Sequence, residues 1–375
     1  MSEYQYYELL AVDGPISDEG LQYAESCSSR ADVSRVHWRN EYHYGDFKGS
    51  VDGLLHHYDA HFYIANWGTV RFAVALPKGV LDLEAAEPYI RGHAPYENTL
   101  TIKNKGARTI VCWERNEEES WGWTEGEGII SRLVGIREEL MRGDYRALFL
   151  GWLADFHPDE WRDPRDSAVR VPPIPAGLDC LTPALHELLE QIPVDHDALA
   201  VAAGQAQGDM SARIPVSDAL VKLSTSDMKA LLARVAEGDG ARVMSELNRL
   251  TQPRIEPTTG ATLTCVDFAT KALAVRKARL AEEAKAKEAE KKRAAKARQR
   301  HLEDVMKRVD HIWAGLDPLM EEKIASAYDN VAAQLKELRD AYQQTDRKNE
   351  FQDRLETFRN RYTRRPAMMR RIEEL

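Results

Sequence analysis

Polar and apolar residues alternate in several short stretches near the start of the chain. Residues 4–12, rich in Tyr, Leu and Val, read as a strand. Val36, Trp38, Tyr42 and Tyr44 alternate with Arg35, His37, Arg39, Glu41 and His43, a period of two that predicts a strand with one buried face. Val70, Phe72, Val74 and Leu76 repeat that period until Pro77, which has no N–H to donate to a ladder. Leu100 and Ile102, a turn at Asn104-Lys105-Gly106, and residues 110–113 predict a hairpin. Between these strands, Ser17 suits the N-cap of a short helix reaching Cys27, because its hydroxyl can accept a backbone N–H. Val51, Leu54, Leu55, Tyr58, Phe62 and Ala65 follow helical spacing and predict a second helix. Helices set between strands imply a sheet covered on at least one face.

The pattern turns helical after residue 127. Ile129, Ile130, Leu133, Ile136 and Leu140 predict one amphipathic helix and residues 146–156 another. A proline-rich connector spans residues 164–175. Helical stretches follow around Leu185, Leu188 and Leu189, at residues 198–203, 219–235 and 241–250.

The last third changes character again. Between Leu280 and Leu302 there is no Val, Ile, Leu, Met, Phe, Tyr or Trp, only strong helix formers with Gln299 and His301. One helix from about Val266 to about Leu316 is expected, roughly 75 Å long at 1.5 Å per residue. An apolar seam, Leu302, Val305, Val309, Ile312 and Leu316, ends at a break over residues 315–318, with Asp317 as N-cap and Pro318 at the first helical position. A second seam runs Ile324, Tyr328, Val331, Leu335, Leu338 and Tyr342. Two such seams joined by a break predict an antiparallel coiled-coil hairpin. Phe351, Leu355, Phe358 and Tyr362 form a last short helix before Pro366. The expected class is α+β: a mixed α/β sheet domain over residues 1–127, a helical region over 128–265, and the long charged helix with its hairpin over 266–375.

Several blocks, SEYQYYELLAVD at the start, NEYHYGDFKG at residues 40–49, ANWGT at 65–69, RGDYRALFLGWLA at 142–154 and AYDNVAAQLKELRD at 327–340, resemble a family of uncharacterised bacterial cytoplasmic proteins. The resemblance spans nearly the whole chain. It implies a bacterial cytoplasmic protein of this layout and brings no activity, cofactor or catalytic residue with it.

Charge changes the picture more than composition does. The net charge is −10, yet residues 266–375 carry 26 Lys and Arg against 20 Asp and Glu, a net +6, which leaves −16 on residues 1–265. Such asymmetry suits an acidic partner, a nucleic acid or a second copy of the chain. No apolar run approaches 18 residues, and the first residues lack the basic-then-apolar pattern of a secretory signal, so no membrane association is expected. Cys27, Cys112, Cys180 and Cys265 are far apart and read as reduced thiols, with Cys112 and Cys265 buried.

Candidate chemistry is thin. The nucleotide motifs GxxxxGK[ST] and GxGxxG and the hydrolase motif GxSxG are absent. His57 and His61, four apart on the expected helix, share a face and could share a metal with His43 or Asp46 contributed from the preceding segment. The ordinary reading of the same histidines is local hydrogen bonding beside an apolar stripe, so no cofactor is expected. Trp121 and Trp123, in an acidic stretch, are candidate anchors for a basic partner, or else belong to the core. Lys291, Lys292, Arg293, Arg298 and Arg300 are the densest part of the basic helix. They fit a docking arm for protein, or contacts to nucleic-acid phosphates, although no aromatic is there to stack on bases. The function expected is a non-catalytic interaction or scaffold protein of a bacterial multi-protein system, with a protein partner or a homo-oligomer. The alternatives are a nucleic-acid-associated factor and a metal-dependent enzyme.

Overall fold

A computed structural model describes residues 4–90, 99–116, 125–161, 168–206, 216–221, 223–237, 243, 246–247 and 263–375. The chain divides into two compact units, residues 1–277 and 278–375.

In the first unit the alternating stretches become an antiparallel sheet. The strands are β1 (Gln5–Leu10), β2 (Asp32–Val33), β3 (His37–Tyr42), β4 (Ala60–Ala65), β5 (Thr69–Pro77), β6 (Leu100–Lys105) and β7 (Arg108–Asn116), in the order β2-β3-β1-β4-β5-β7-β6. Gly106 turns the β6–β7 hairpin at φ +58°, a left-handed value that costs glycine little. Leu9 pairs with both Trp38 and His61, so these three side chains share one face. That face packs on α1 (Asp18–Cys27) and α2 (Val51–Leu54), with Leu9, Trp38, Ala73, Ala75 and Ile110 meeting Ala24 and Leu54. Ser17 caps α1, its hydroxyl accepting from the Gly20 N–H at 3.1 Å.

The opposite face, with Tyr6, Phe62, Phe72, Val74 and Trp113, carries the main core. It is covered by α3 (Leu83–Ile90), α4 (Ile129–Leu133), α5 (Gly135–Met141) and α6 (Arg146–Ala154), and α7 (Pro183–Gln191), packed on α4 to α6, and α8 (His196–Gln205) extend the same core. Further along lie α9 (Val216–Val221) and α10 (Thr225–Ala236). The main core also takes Cys265, Phe268, Ala269 and Ala272 from the start of α11 (Cys265–Lys307).

The second unit has its own core. It is built from the end of α11 with α12 (Val309–Glu321), α13 (Ala325–Gln344), α14 (Lys348–Tyr362) and α15 (Pro366–Arg371). Val309, Leu316 and Met320 pack with Tyr328, Val331, Leu335 and Leu338, and Phe351, Leu355, Phe358 and Met368 close the same cluster.

Several expectations are corrected. Residues 51–65 are not one helix: α2 ends after one turn and β4 begins at Ala60. Every residue of β4 is buried, so it shows no period of two, and its apolar spacing mimics a helix. Val36 and Tyr44 lie beyond the ends of β3 and are exposed rather than part of a buried stripe. The helix expected over residues 129–140 is two, α4 and α5, meeting at Val134, and residues 219–235 fall in two helices rather than one. The long helix stops at Lys307 rather than near Leu316. Residues 315–318 are not a break, because α12 runs through Pro318. The reversal comes later, at residues 322–324, where Lys323 takes φ 58° and Ile324 is exposed. Cys112 is only partly buried, whereas Cys265 is buried as expected. The expected helix over residues 241–250 lies largely outside the described residues.

Candidate functional site

The sheet itself separates the three histidines. His61 lies on β4, facing α2. His43 lies five residues beyond Trp38, an odd step that turns it to the opposite face, where its ring sits 5.8 Å from that of Tyr4. His57 follows α2 and packs on Tyr23 and His56, and burial next to His56 lowers its pKa. His61 is fully buried, and burial pushes its pKa down to about 3. Its Nδ1–H donates to the Glu8 carbonyl at 3.2 Å, while Nε2 has no hydrogen-bond partner among the described residues. Among the described residues no three His, Cys, Asp or Glu side chains are grouped to hold a metal ion. Trp121 and Trp123 lie outside the described residues.

The predicted basic residues split into two sets. Arg298 is exposed but paired, donating to Glu337 at 2.7 Å and to Asp340 at 2.8 Å on α13, and His301 sits 2.8 Å from Glu337. Glu337 and Asp340 have lowered pKa values: hydrogen bonds from Arg298 and its neighbours outweigh the opposing effect of burial. Lys291, Lys292, Arg293 and Arg300 remain exposed, within a run over residues 277–301 in which every side chain is exposed.

Two buried ion networks stiffen the first unit. Arg137, fully buried, donates to both carboxylate oxygens of Asp13 at 2.9 and 2.6 Å and to the Ala75 carbonyl at 2.9 Å. Arg146 pairs with Asp144 at 2.7 Å and donates to the carbonyls of Gly177 and Cys180, both at 3.0 Å. That second network anchors a loop, residues 177–181, which forms the lip of a cleft.

The cleft, of about 750 Å³, is a feature that the sequence pattern did not reveal. It lies between the lip, α7 and the start of α8. Thr182 caps α7 by accepting from the Leu185 N–H at 3.3 Å, with Pro183 in the first turn. Asp195 caps α8 by accepting from the Ala198 N–H at 2.9 Å, and Arg276 of α11 also binds Asp195. One face of each helix is spent on the core, through Leu185 and Leu188 on α7 and Ala198 and Ala202 on α8. Leu181, Leu189 and Leu199, partly buried at the edge of that core, also line the cleft, together with the buried Leu178 and Val194. The rim is exposed and carries Asp179, Glu190, His186 and His196, with no Lys or Arg lining the cleft among the described residues. A preformed apolar floor with a few polar groups at its edge is the usual form of a binding site.

A comparison with family profiles, with curated proteins and with solved structures finds no match to this chain. Among the described residues no helix is long and apolar enough to cross a membrane.

Proposed function

We propose that this chain is a non-catalytic interaction protein, a scaffold of a bacterial multi-protein system working in the cytoplasm, and that the α7–α8 cleft receives a helical segment of a protein partner. The observation that carries the reading is the cleft's composition: an apolar floor of Leu178, Leu181, Leu189 and Leu199 beneath a rim holding Asp179 and Glu190. An amphipathic helix places apolar side chains at i, i+3 and i+4 into such a groove, and Lys or Arg beside them meets the two carboxylates. The chain's own basic helix does not fit, because it has no large apolar side chain between Leu280 and Leu302. In this reading the second unit is a separate helical module. Its α12 and α13 form a short antiparallel coiled-coil hairpin, buttressed by α14 and α15.

The test is a photo-crosslinking amino acid placed in living cells at Leu189, at Leu199 and, as a control, at Leu232, which is exposed on α10. One discrete adduct at Leu189 and Leu199 and none at Leu232 is the expected result, and mass spectrometry then tells a different protein from a second copy of this chain. Equal, diffuse labelling at all three positions would remove the cleft from consideration.

A further inference from the structure

The exposed part of α11 has two unlike sides. At 100° per residue, Arg298 and His301 fix the side that faces α13 through Glu337 and Asp340. On the opposite side, Lys285, Lys292, Arg293, Lys296 and Arg300 fall within an arc of about 100° and a length of about 22 Å. From residue 285 to residue 300 the only other side chain on that arc is Ala289, so the stripe has five cations and no carboxylate. All five are exposed. Lys285 and Lys292 reach Glu282 and Glu288 at 2.8 and 3.6 Å, but both pairs are solvent-exposed, and such pairs are worth at most about 1 kcal/mol and exchange readily for other anions.

We infer that this stripe binds the phosphate backbone of duplex nucleic acid without reading its sequence. The chemistry of the stripe selects the partner. A protein interface draws its energy from buried apolar and aromatic anchors and is poor in Lys, and this surface offers only Lys, Arg and one Ala. A polyanion with condensed counterions needs nothing more, since each neutralised phosphate releases a counterion and that release supplies the binding free energy. Single strands are gripped by stacking bases on aromatic rings, which the stripe lacks, so the duplex is favoured. Base edges are read by side chains that form paired hydrogen bonds inside a groove, whereas a one-sided row of cations contacts phosphates and fixes no sequence. Arg298 takes no part, because its charge is spent within the second unit. This inference is independent of the cleft.

The experiment is fluorescence anisotropy of the full-length protein with a labelled 30-base-pair duplex of random sequence, from 50 to 200 mM NaCl. Four to five phosphate contacts predict a slope of log affinity against log salt of about −4, a loss of roughly 200-fold across that range. The variant Lys292→Gln/Arg293→Gln/Lys296→Gln/Arg300→Gln should lose at least 100-fold in affinity at 50 mM NaCl. Gln is close to Lys and Arg in helix propensity, so its circular dichroism and melting should match the wild type. A control with four exposed lysines of the first unit changed to Gln (Lys48, Lys78, Lys103 and Lys229) should bind as the wild type does. No binding at 50 mM NaCl, or full binding by the stripe variant, would overturn the inference. So would a poly-glutamate peptide that competes as well as the duplex at equal charge, because the partner would then be an acidic protein surface.

Discussion

Arg137 is a sharp point at which to test how the first unit is held together. Its guanidinium is fully buried and makes three hydrogen bonds, two to Asp13 and one to the Ala75 carbonyl. Asp59 lies 3.6 Å away and is itself held by Arg108 at 2.7 Å and by the Val12 and Asp13 N–H groups at 2.7 and 3.0 Å. Burial works against the charged form of Arg137, but Asp13 and Asp59 outweigh it, so its pKa is raised and it stays charged. Arg137→Met keeps the apolar stem and removes the charge. Breaking a buried pair from one side costs about 3–5 kcal/mol, because the abandoned charge has no water to turn to. Asp59 keeps its other donors, and the Asp13 side chain is 20% exposed and partly hydrated, which places the cost near the lower end, about 3 kcal/mol. For a unit of this size that is a melting shift of about 6–12 °C. Seven of the eight tryptophans lie in residues 1–277, so urea denaturation followed by tryptophan fluorescence reports mainly on this unit. The double variant Arg137→Met/Asp13→Asn removes the stranded charge and should be more stable than Arg137→Met alone. A single-variant loss below about 1 kcal/mol, or a double variant that merely adds the two separate costs, would refute the reasoning.

His61 gives the first unit a pH dependence. Its folded pKa is about 3 against 6.5 for the free side chain, so below pH 6.5 the unfolded chain takes up a proton that the folded one refuses. Stability is therefore lost as the pH falls from about 6.5 towards 3, at up to about 1.4 kcal/mol per unit. Between pH 7 and 4.5 the wild type should lose about 2–3 kcal/mol more than His61→Gln in urea denaturation, and parallel losses would mean that His61 is not held neutral. In the second unit Leu335 is wholly buried among Val331, Leu338 and the aromatic rings of α14. Leu335→Ala should cost about 2–5 kcal/mol, seen as faster amide exchange across α12 to α15 with residues 4–90 unchanged. An unaltered exchange pattern would count against the shared core.

Much of the fold is legible in local pattern because the two periods are geometric. β5 keeps a period of two although both its faces are covered, because large Val70, Phe72, Val74 and Leu76 face the main core while small Ala73 and Ala75 face α1 and α2, and α7 and α13 show the stripes of helices with one side in the core. The exposed helix over residues 277–301 is equally legible: a stretch of Ala, Lys, Glu and Arg has helix propensity and nothing to bury. Its charge is a property of composition, so the sequence alone determined that a basic segment exists. Only the tertiary structure decided the rest. β4 is covered on both faces and carries no alternation, so its strand state follows from its neighbours β1 and β5 rather than from its own residues. That change of state turned His57 and His61 from neighbours on one helix face into a turn residue after α2 and a buried strand residue on β4. The chain reverses at Lys323, not at Pro318, because a proline near the end of a helix forfeits one backbone bond whereas a left-handed residue redirects the chain. Arg298 and Arg300 look alike in the sequence, two residues apart, but two residues are 200° around a helix. Arg298 therefore meets Glu337 and Asp340, while Arg300 meets solvent. The cleft draws its floor and rim from a loop and two helices, and a surface assembled from separate elements is fixed only when those elements pack.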